Sequence, residues 1–411
     1  MYTFHANDRG IGNLAKGHPS LWCGHRLHEP SCQWLNEHVV PNSVSPRTWE
    51  NKAQALITWL EWCEAIDLDW RDASRDDLVA YRDAYTRHIS PHTGRRYSTG
   101  TIATRLGAII DFMQWAAAKG WMTDPSLSDD IRVSKPGRTP ISGDALAHIR
   151  KGNVTSTKSK NIIPKNRDDK VRVLSENELS ALLKWAGPRA SERGIDSPGM
   201  ARDRLIIDLG WAVGLRCSEK VWLNIYPFEA LTPDPELLAH HKIQVLGKGN
   251  KLRTVDVPAW LAIDIQAYIA GERKRSLKRR GKNVREPHLL LNAEASTNRV
   301  GYAMQAPGIR AMIMRACNGA GLIEQRQFEN PETGEKGVRA VAKFSDHPLR
   351  HTYAVMTWQF MQASGKSEAD TWKYIQHQLG HESLQTTMDI YLKHVNVWAS
   401  PGKASAIKGL F

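Results

Sequence analysis

The chain has 411 residues, a formal net charge of +13 and an isoelectric point near 9.5. That length exceeds what one ordinary domain needs, and the charge favours a polyanionic partner, most simply nucleic acid. No apolar run approaches the ~20 residues needed to span a bilayer, the N-terminus lacks a signal-peptide core, and the cysteines are scattered, which suits a reducing cytoplasm better than a disulfide framework.

Residues 1–44 read as an irregular leader of unassigned role. Cys23, His25, His28 and Cys32 fall close together in it. Their spacing matches no common zinc module and would strain a tetrahedral site, so no metal is assigned. Residues 45–125 read as a helical bundle without strand signals. Ser45-Pro46 is a helix start, and Trp49, Leu56, Trp59, Leu60 and Cys63 recur at helical spacing. Ser74 with Asp77 forms a capping-box pattern, Ser90-Pro91-His92-Thr93-Gly94 breaks the pattern, and a third helix carries Ile102, Leu106, Ile109, Ile110 and Met113. Arg95, Arg96 and Arg105 lie on its polar sides and are candidate DNA contacts.

Residues 126–172 read as a basic linker suited to tracking a phosphate backbone. Residues 173–411 form the larger domain. Ser175 and Glu178 cap its first helix. Ile243, Val245, Leu252, Val255 and Val257 alternate around Gly247-Lys248-Gly249-Asn250, which predicts a two-stranded hairpin. A helix from about Ala259 runs into a dense basic patch with Lys278, Arg279 and Arg280. Helices are expected around 300–320 and 348–378, with a polar loop or small hairpin at 324–343. The fold class is mainly α with a small antiparallel sheet, an α+β chain with a helical bundle before a catalytic domain.

From His347 to Tyr391 the sequence gathers chemistry. His347 and Arg350 are three apart and share a helix face, Gly380 is a helix stop that presents His381, and Tyr391 follows. Such a set suits a phosphate with a phenol nucleophile. Upstream stand Arg216 in Gly-Leu-Arg-Cys-Ser-Glu and Lys248 in Gly-Lys-Gly-Asn-Lys-Leu-Arg. Arg216, Lys248, His347, Arg350, His381 and Tyr391, in this order and these contexts, resemble the tyrosine recombinases of the phage integrase and Xer type. The resemblance covers about residues 173–395 at motif level and extends loosely to 45–125, similar to that family's core-binding domain. The step from His381 to Tyr391 is ten residues, one longer than in many members.

The resemblance implies a site-specific DNA recombinase that cuts and rejoins strands through a covalent 3′-phosphotyrosine. Arg216 and Arg350 would clamp the non-bridging phosphate oxygens. Tyr391 would attack, His347 would serve as base or phosphate donor, and His381 would donate to phosphate. The family analogy picks Lys248 over Lys251 as general acid to the leaving 5′ oxygen. Glu219 would buttress an arginine, and Lys251 and Arg253 would meet phosphates or solvent. No cofactor or metal is expected, because cations fill the electrostatic role and no carboxylate cluster for two-metal cleavage stands out. The implied partners are duplex recombination sites, a homotetramer in synapsis from a chain monomeric when free, and accessory bending or directionality factors. The expected location is the cytoplasm, with no membrane, and the expected role is integration or excision of a mobile element. The short tail with Trp398, Ile407, Leu410 and Phe411 would dock on a neighbouring protomer or on its own chain. The weighed alternatives are a type IB topoisomerase, a non-catalytic DNA-binding accessory protein, and a metal-dependent nuclease, for which acidic ligands are lacking.

Overall fold

The computed structural model describes residues 2–6, 17–43, 45–124, 162–164, 171–194, 196–247, 249, 251–296, 298–392 and 394–395. The chain divides into two units, Met1–Asp169 with Gln327–Gly337, and Lys170–Arg326 with Val338–Phe411. Among the described residues, no helix is long and apolar enough to cross a membrane.

The first unit departs from the irregular leader expected of its N-terminus. Strands β1 (Tyr2–Ala6), β2 (Pro19–Cys23) and β3 (Arg26–Leu27) form an antiparallel sheet, followed by α1 (Glu29–Trp34). Leu21, Trp34, Leu35 and Val39 are buried in the same core as Trp49, Leu56, Trp59 and Leu60. These leader residues therefore remove apolar surface from water together with the bundle. That bundle comprises α2 (Pro46–Ala65), α3 (Arg75–Arg87) and α4 (Thr99–Ala118). The Ser74–Asp77 capping box forms as expected. Ser45, by contrast, makes no side-chain cap, and the pre-set backbone of Pro46 opens α2 without it. The break at Ser90–Gly94 turns a minimal hairpin, β4 (Ile89–Ser90) with β5 (Arg95–Arg96), in a region where no strands were expected. Ile162, assigned from sequence to the linker, is fully buried in this core.

The second unit carries a larger core. Helix α5 (Glu176–Ala186) opens on the Ser175–Glu178 capping box and packs on α6 (Ala201–Trp211). Two short helices follow, α7 (Cys217–Trp222) and α8 (Tyr226–Glu229). The predicted hairpin is present as β6 (His240–Leu246) and β7 (Leu252–Pro258), paired from His240–Pro258 to Leu246–Leu252. Its inward residues Ile243, Val245, Val255 and Val257 face the core, while Leu252 is exposed. Next come α9 (Ala259–Tyr268), α10 (Lys274–Arg280) and α11 (Ala306–Gly319). The polar stretch near 330 is a hairpin, β8 (Ile323–Glu329) with β9 (Lys336–Ala342). The helical run expected over 348–378 is two helices, α12 (His347–Ala363) and α13 (Glu368–Leu379). Gly365 is left-handed between them, and Ser367 caps the second by accepting from the Asp370 N–H. Helix α14 (Leu384–Tyr391) starts on a Ser383 cap and ends on the tyrosine.

Candidate active site

Glu219 organises the site. It stands on the first turn of α7, where its carboxylate accepts from the backbone N–H of Arg216 at 2.8 Å and from the Arg216 guanidinium at 2.9 Å. Arg253 on β7 donates to both oxygens, at 2.5 and 3.0 Å. Arg350 on α12 brings Nη1 to 3.8 Å. The Glu219 side chain is fully enclosed. Burial pushes its carboxyl upward, but the hydrogen bonds and charge of Arg253, with smaller help from Arg216 and Arg350, outweigh it and hold the group below the ordinary value. Three cations thus share one anion, which leaves the group with excess positive charge.

Arg350 is almost completely buried. Nη1 donates to the Gly214 carbonyl at 2.7 Å and Nη2 to the Leu379 carbonyl. Its buried Nε meets no acceptor among the described residues. Burial and the neighbouring Arg216 lower its pKa to about 10, so it stays cationic at neutral pH.

Tyr391 is buried with its hydroxyl 3.0 Å from His351 Nδ1. The His347 ring meets His351 edge-on at 4.4 Å, and the His381 ring lies parallel to the Tyr391 ring at 6.1 Å. His381 Nδ1 is held by the Thr387 hydroxyl at 2.9 Å. Burial raises the phenol to about 12, while Arg350 and Arg216 pull it back down. Burial lowers His351 to about 3, with His347, Arg350, His381 and His394 adding repulsion. His381 is lowered to about 4 by burial and then by Arg350 and Arg216. Both imidazoles are therefore neutral at pH 7.

A second buried contact joins the same elements. Lys220, next to Glu219, is fully enclosed and donates to Asp346 Oδ1 at 2.6 Å. Asp346 directly precedes His347 at the start of α12. A Cβ at Gly210 would stand 2.9 Å from the Lys220 ammonium nitrogen, so the absent side chain there makes room for it.

No protein-family model matches the chain. The chain is 24% identical over 328 residues to the tyrosine recombinase XerC of Roseiflexus sp. (strain RS-1), covering 80% of this chain and 76% of that protein. It is 25% identical over 362 residues to XerC of Halalkalibacterium halodurans, covering 86% and 91%. Its fold matches the XerH site-specific recombinase in a post-cleavage complex with palindromic difH substrate, at a TM-score of 0.52 and 18% identity over 93% of this chain and 89% of that one. Over most of its length the chain is similar to tyrosine recombinases, in sequence and in fold.

Within this chain the fold brings together Arg216, Glu219, Arg350, His381 and Tyr391, with His347 at the edge of the group. Lys248 lies outside the described residues, as does the tail with Trp398, Ile407, Leu410 and Phe411. Lys251 is exposed and pairs with Glu382 at 3.1 Å. Arg253 corrects the sequence reading. It is no outward phosphate contact, because its guanidinium is turned inward onto Glu219 and donates through Nε to the Gln378 carbonyl at 3.1 Å. Lys278 and Arg279 are exposed on α10, whereas Arg280 stacks at 3.8 Å on Tyr302 and pairs with Glu286 at 3.2 Å. Arg95 and Arg96 are exposed on β5. Arg105 lies over the rings of Tyr85 and Tyr97, at 5.2 and 4.6 Å, and packs against the bundle it was expected to project from.

Sequence reading missed His351, Arg253 as a buttress, and the Lys220–Asp346 pair. His351 is four residues after His347 and adjacent to Arg350, so helical spacing already placed it on the site's face. Arg253 shares strand parity with the inward Val255 and Val257, a period-two signal that its charge obscured.

Proposed function

We propose that this chain is a site-specific recombinase that cuts and rejoins DNA through a 3′-phosphotyrosine on Tyr391. The observation that carries this reading is the enclosure of one phenol beside Arg350 and His381, with Arg216 tied to the same carboxylate. A phosphodiester between Arg216 and Arg350 meets fixed donors, and the buried Nε of Arg350, which has no acceptor among the described residues, gains one. As the phenol oxygen attacks, charge grows on the non-bridging oxygens, where preorganised guanidiniums act most strongly. His381 donates to one of those oxygens and His347 to another. Lys248 protonates the departing 5′ oxygen. The phosphodiester bond energy stays in the phosphotyrosine, so a 5′-hydroxyl of a second duplex restores the backbone by the reverse step.

Exchange of two strand pairs calls for four protomers on two duplexes, with accessory bending or directionality factors. The extended N-terminal region favours a mobile-element integrase over a chromosome resolvase.

The test lets the protein select its own target sequence. The protein is incubated in EDTA with duplexes randomised around a fixed nick, denatured in detergent, and covalent adducts are recovered and sequenced. A converging sequence family is expected, lost in Tyr391→Phe. Recovery of adducts from Tyr391→Phe, or of none from the wild type, refutes the reading.

A further inference from the structure

We infer that His351, a residue outside the six assigned above, is the group that accepts the proton of Tyr391 during attack. The inference rests on the proposed role of Tyr391 as nucleophile. Three geometric facts support it. His351 Nδ1 stands 3.0 Å from the tyrosine oxygen, within reach for direct transfer. Both residues are buried, so bulk water does not compete. His347, the candidate base by sequence, is exposed and instead abuts the His351 ring at 4.4 Å.

The remaining neighbours fit the assignment. Burial, and then His347, Arg350, His381 and His394 as cations or potential cations, keep His351 neutral in the resting site, so its lone pair is free although its basicity is low until charge builds on the phosphate. In the Nε2–H tautomer its Nδ1 lone pair points at the phenol O–H. The phenol O–H bond breaks and its proton moves to Nδ1, giving an imidazolium. The oxygen forms a bond to phosphorus while the bond from phosphorus to the 5′ oxygen breaks. The departing oxygen receives a separate proton from the leaving-group side. On religation the imidazolium returns its proton to the tyrosine. The imidazolium forms only as negative charge moves from the phenol onto the phosphate beside it, which offsets its burial among cations.

The decisive variant is His351→Gln, which preserves an acceptor for the hydroxyl but cannot hold the proton. Duplexes recovered with the wild type are used, in normal form and with sulfur in place of the leaving 5′ oxygen. On normal DNA, His351→Gln is expected to lose about 100-fold or more in cleavage rate with unchanged DNA affinity. The sulfur substrate, whose thiolate leaves without a proton, is expected to rescue Lys248→Ala and not His351→Gln. Cleavage by His351→Gln within about threefold of wild type overturns the inference, and so does its rescue by sulfur, which would move His351 to the leaving-group side. If His351→Gln does not fold, ¹⁵N-imidazole spectra of the wild-type chain decide. One Nδ1 resonance must shift on Tyr391→Phe, and its constancy overturns the contact. An inactive Tyr391→Phe beside a fully active His351→Gln sinks this inference alone, whereas an active Tyr391→Phe sinks the reading on which it rests.

Discussion

Around Glu219, three guanidiniums converge on one enclosed carboxylate. Along α10, a similarly basic run follows Arg273, whose buried guanidinium donates to the carbonyls of Glu286, His288 and Leu289. Beyond it, Lys278 and Arg279 are exposed. The two regions use the same residue types differently. A buried carboxylate fixes guanidinium direction and leaves the surplus charge aimed at one point. Solvated cations on a helix contribute a diffuse, salt-screened attraction. The first arrangement suits chemistry on a phosphate and the second suits holding a backbone.

The most severe break of that contrast is Glu219→Gln. Loss of the shared anion leaves buried cations uncompensated, a class of change that costs about 3–5 kcal/mol. The clamp also loses its direction, so adduct formation is expected to fall more than about 100-fold. Urea midpoints and the denaturing-gel assay check the two effects, and a variant with wild-type cleavage would show that Glu219 does not organise the arginines.

Lys220 and Asp346 provide the next break, because they are a simple pair without surplus charge. Lys220→Met or Asp346→Leu alone is expected to destabilise by about 3–5 kcal/mol, and the double variant by far less, since a buried ion pair and an apolar pair of similar size often differ little. The double-mutant cycle measures this coupling. Simple additivity of the two losses would refute it.

Acidification sharpens the comparison from the histidine side. His351 and His381 titrate near 3 and 4 in the fold, against 6.5 for a free imidazole. The unfolded chain therefore binds more protons between pH 6.5 and about 4, and stability falls as pH drops through that window. His351→Gln should show a shallower fall in urea midpoint between pH 7 and 5 than the wild type; an equal slope would mean that this imidazole is not held neutral.

The smallest effects are expected on α10. Lys278→Ala and Arg279→Ala should each reduce the salt dependence of DNA binding by about one unit of log-log slope while cleavage at saturation is unchanged. Arg253→Met should do the reverse, slowing cleavage with the slope unaltered. Exchange of these two outcomes would reassign Arg253 to the backbone-contacting set.

Much of this is legible in the residues alone. Capping boxes at Ser74 and Ser175, the stop at Gly380 and the alternation of residues 243–257 are local signals, and each appears as expected. The leader is not legible, because a short sheet whose stability comes from long-range packing leaves little periodicity in its own sequence. Nor is the Lys220–Asp346 pair, whose partners are 126 residues apart and differ in no local way from surface charges. Arg253 falls between these cases, since charge suggests an outward side chain while parity with Val255 places it inward.

Gly380 ends α13 with φ near +63°, and a Cβ there would lie 2.7 Å from the Arg253 side chain. The position carries no charge and offers no group to DNA. In a saturation-mutagenesis map it should nevertheless score as intolerant as the arginines themselves. Each larger residue would pay twice, in a left-handed backbone and in displacing the stem of the buttress. The vacant space beside one glycine is thus as heritable a part of this site as its phenol.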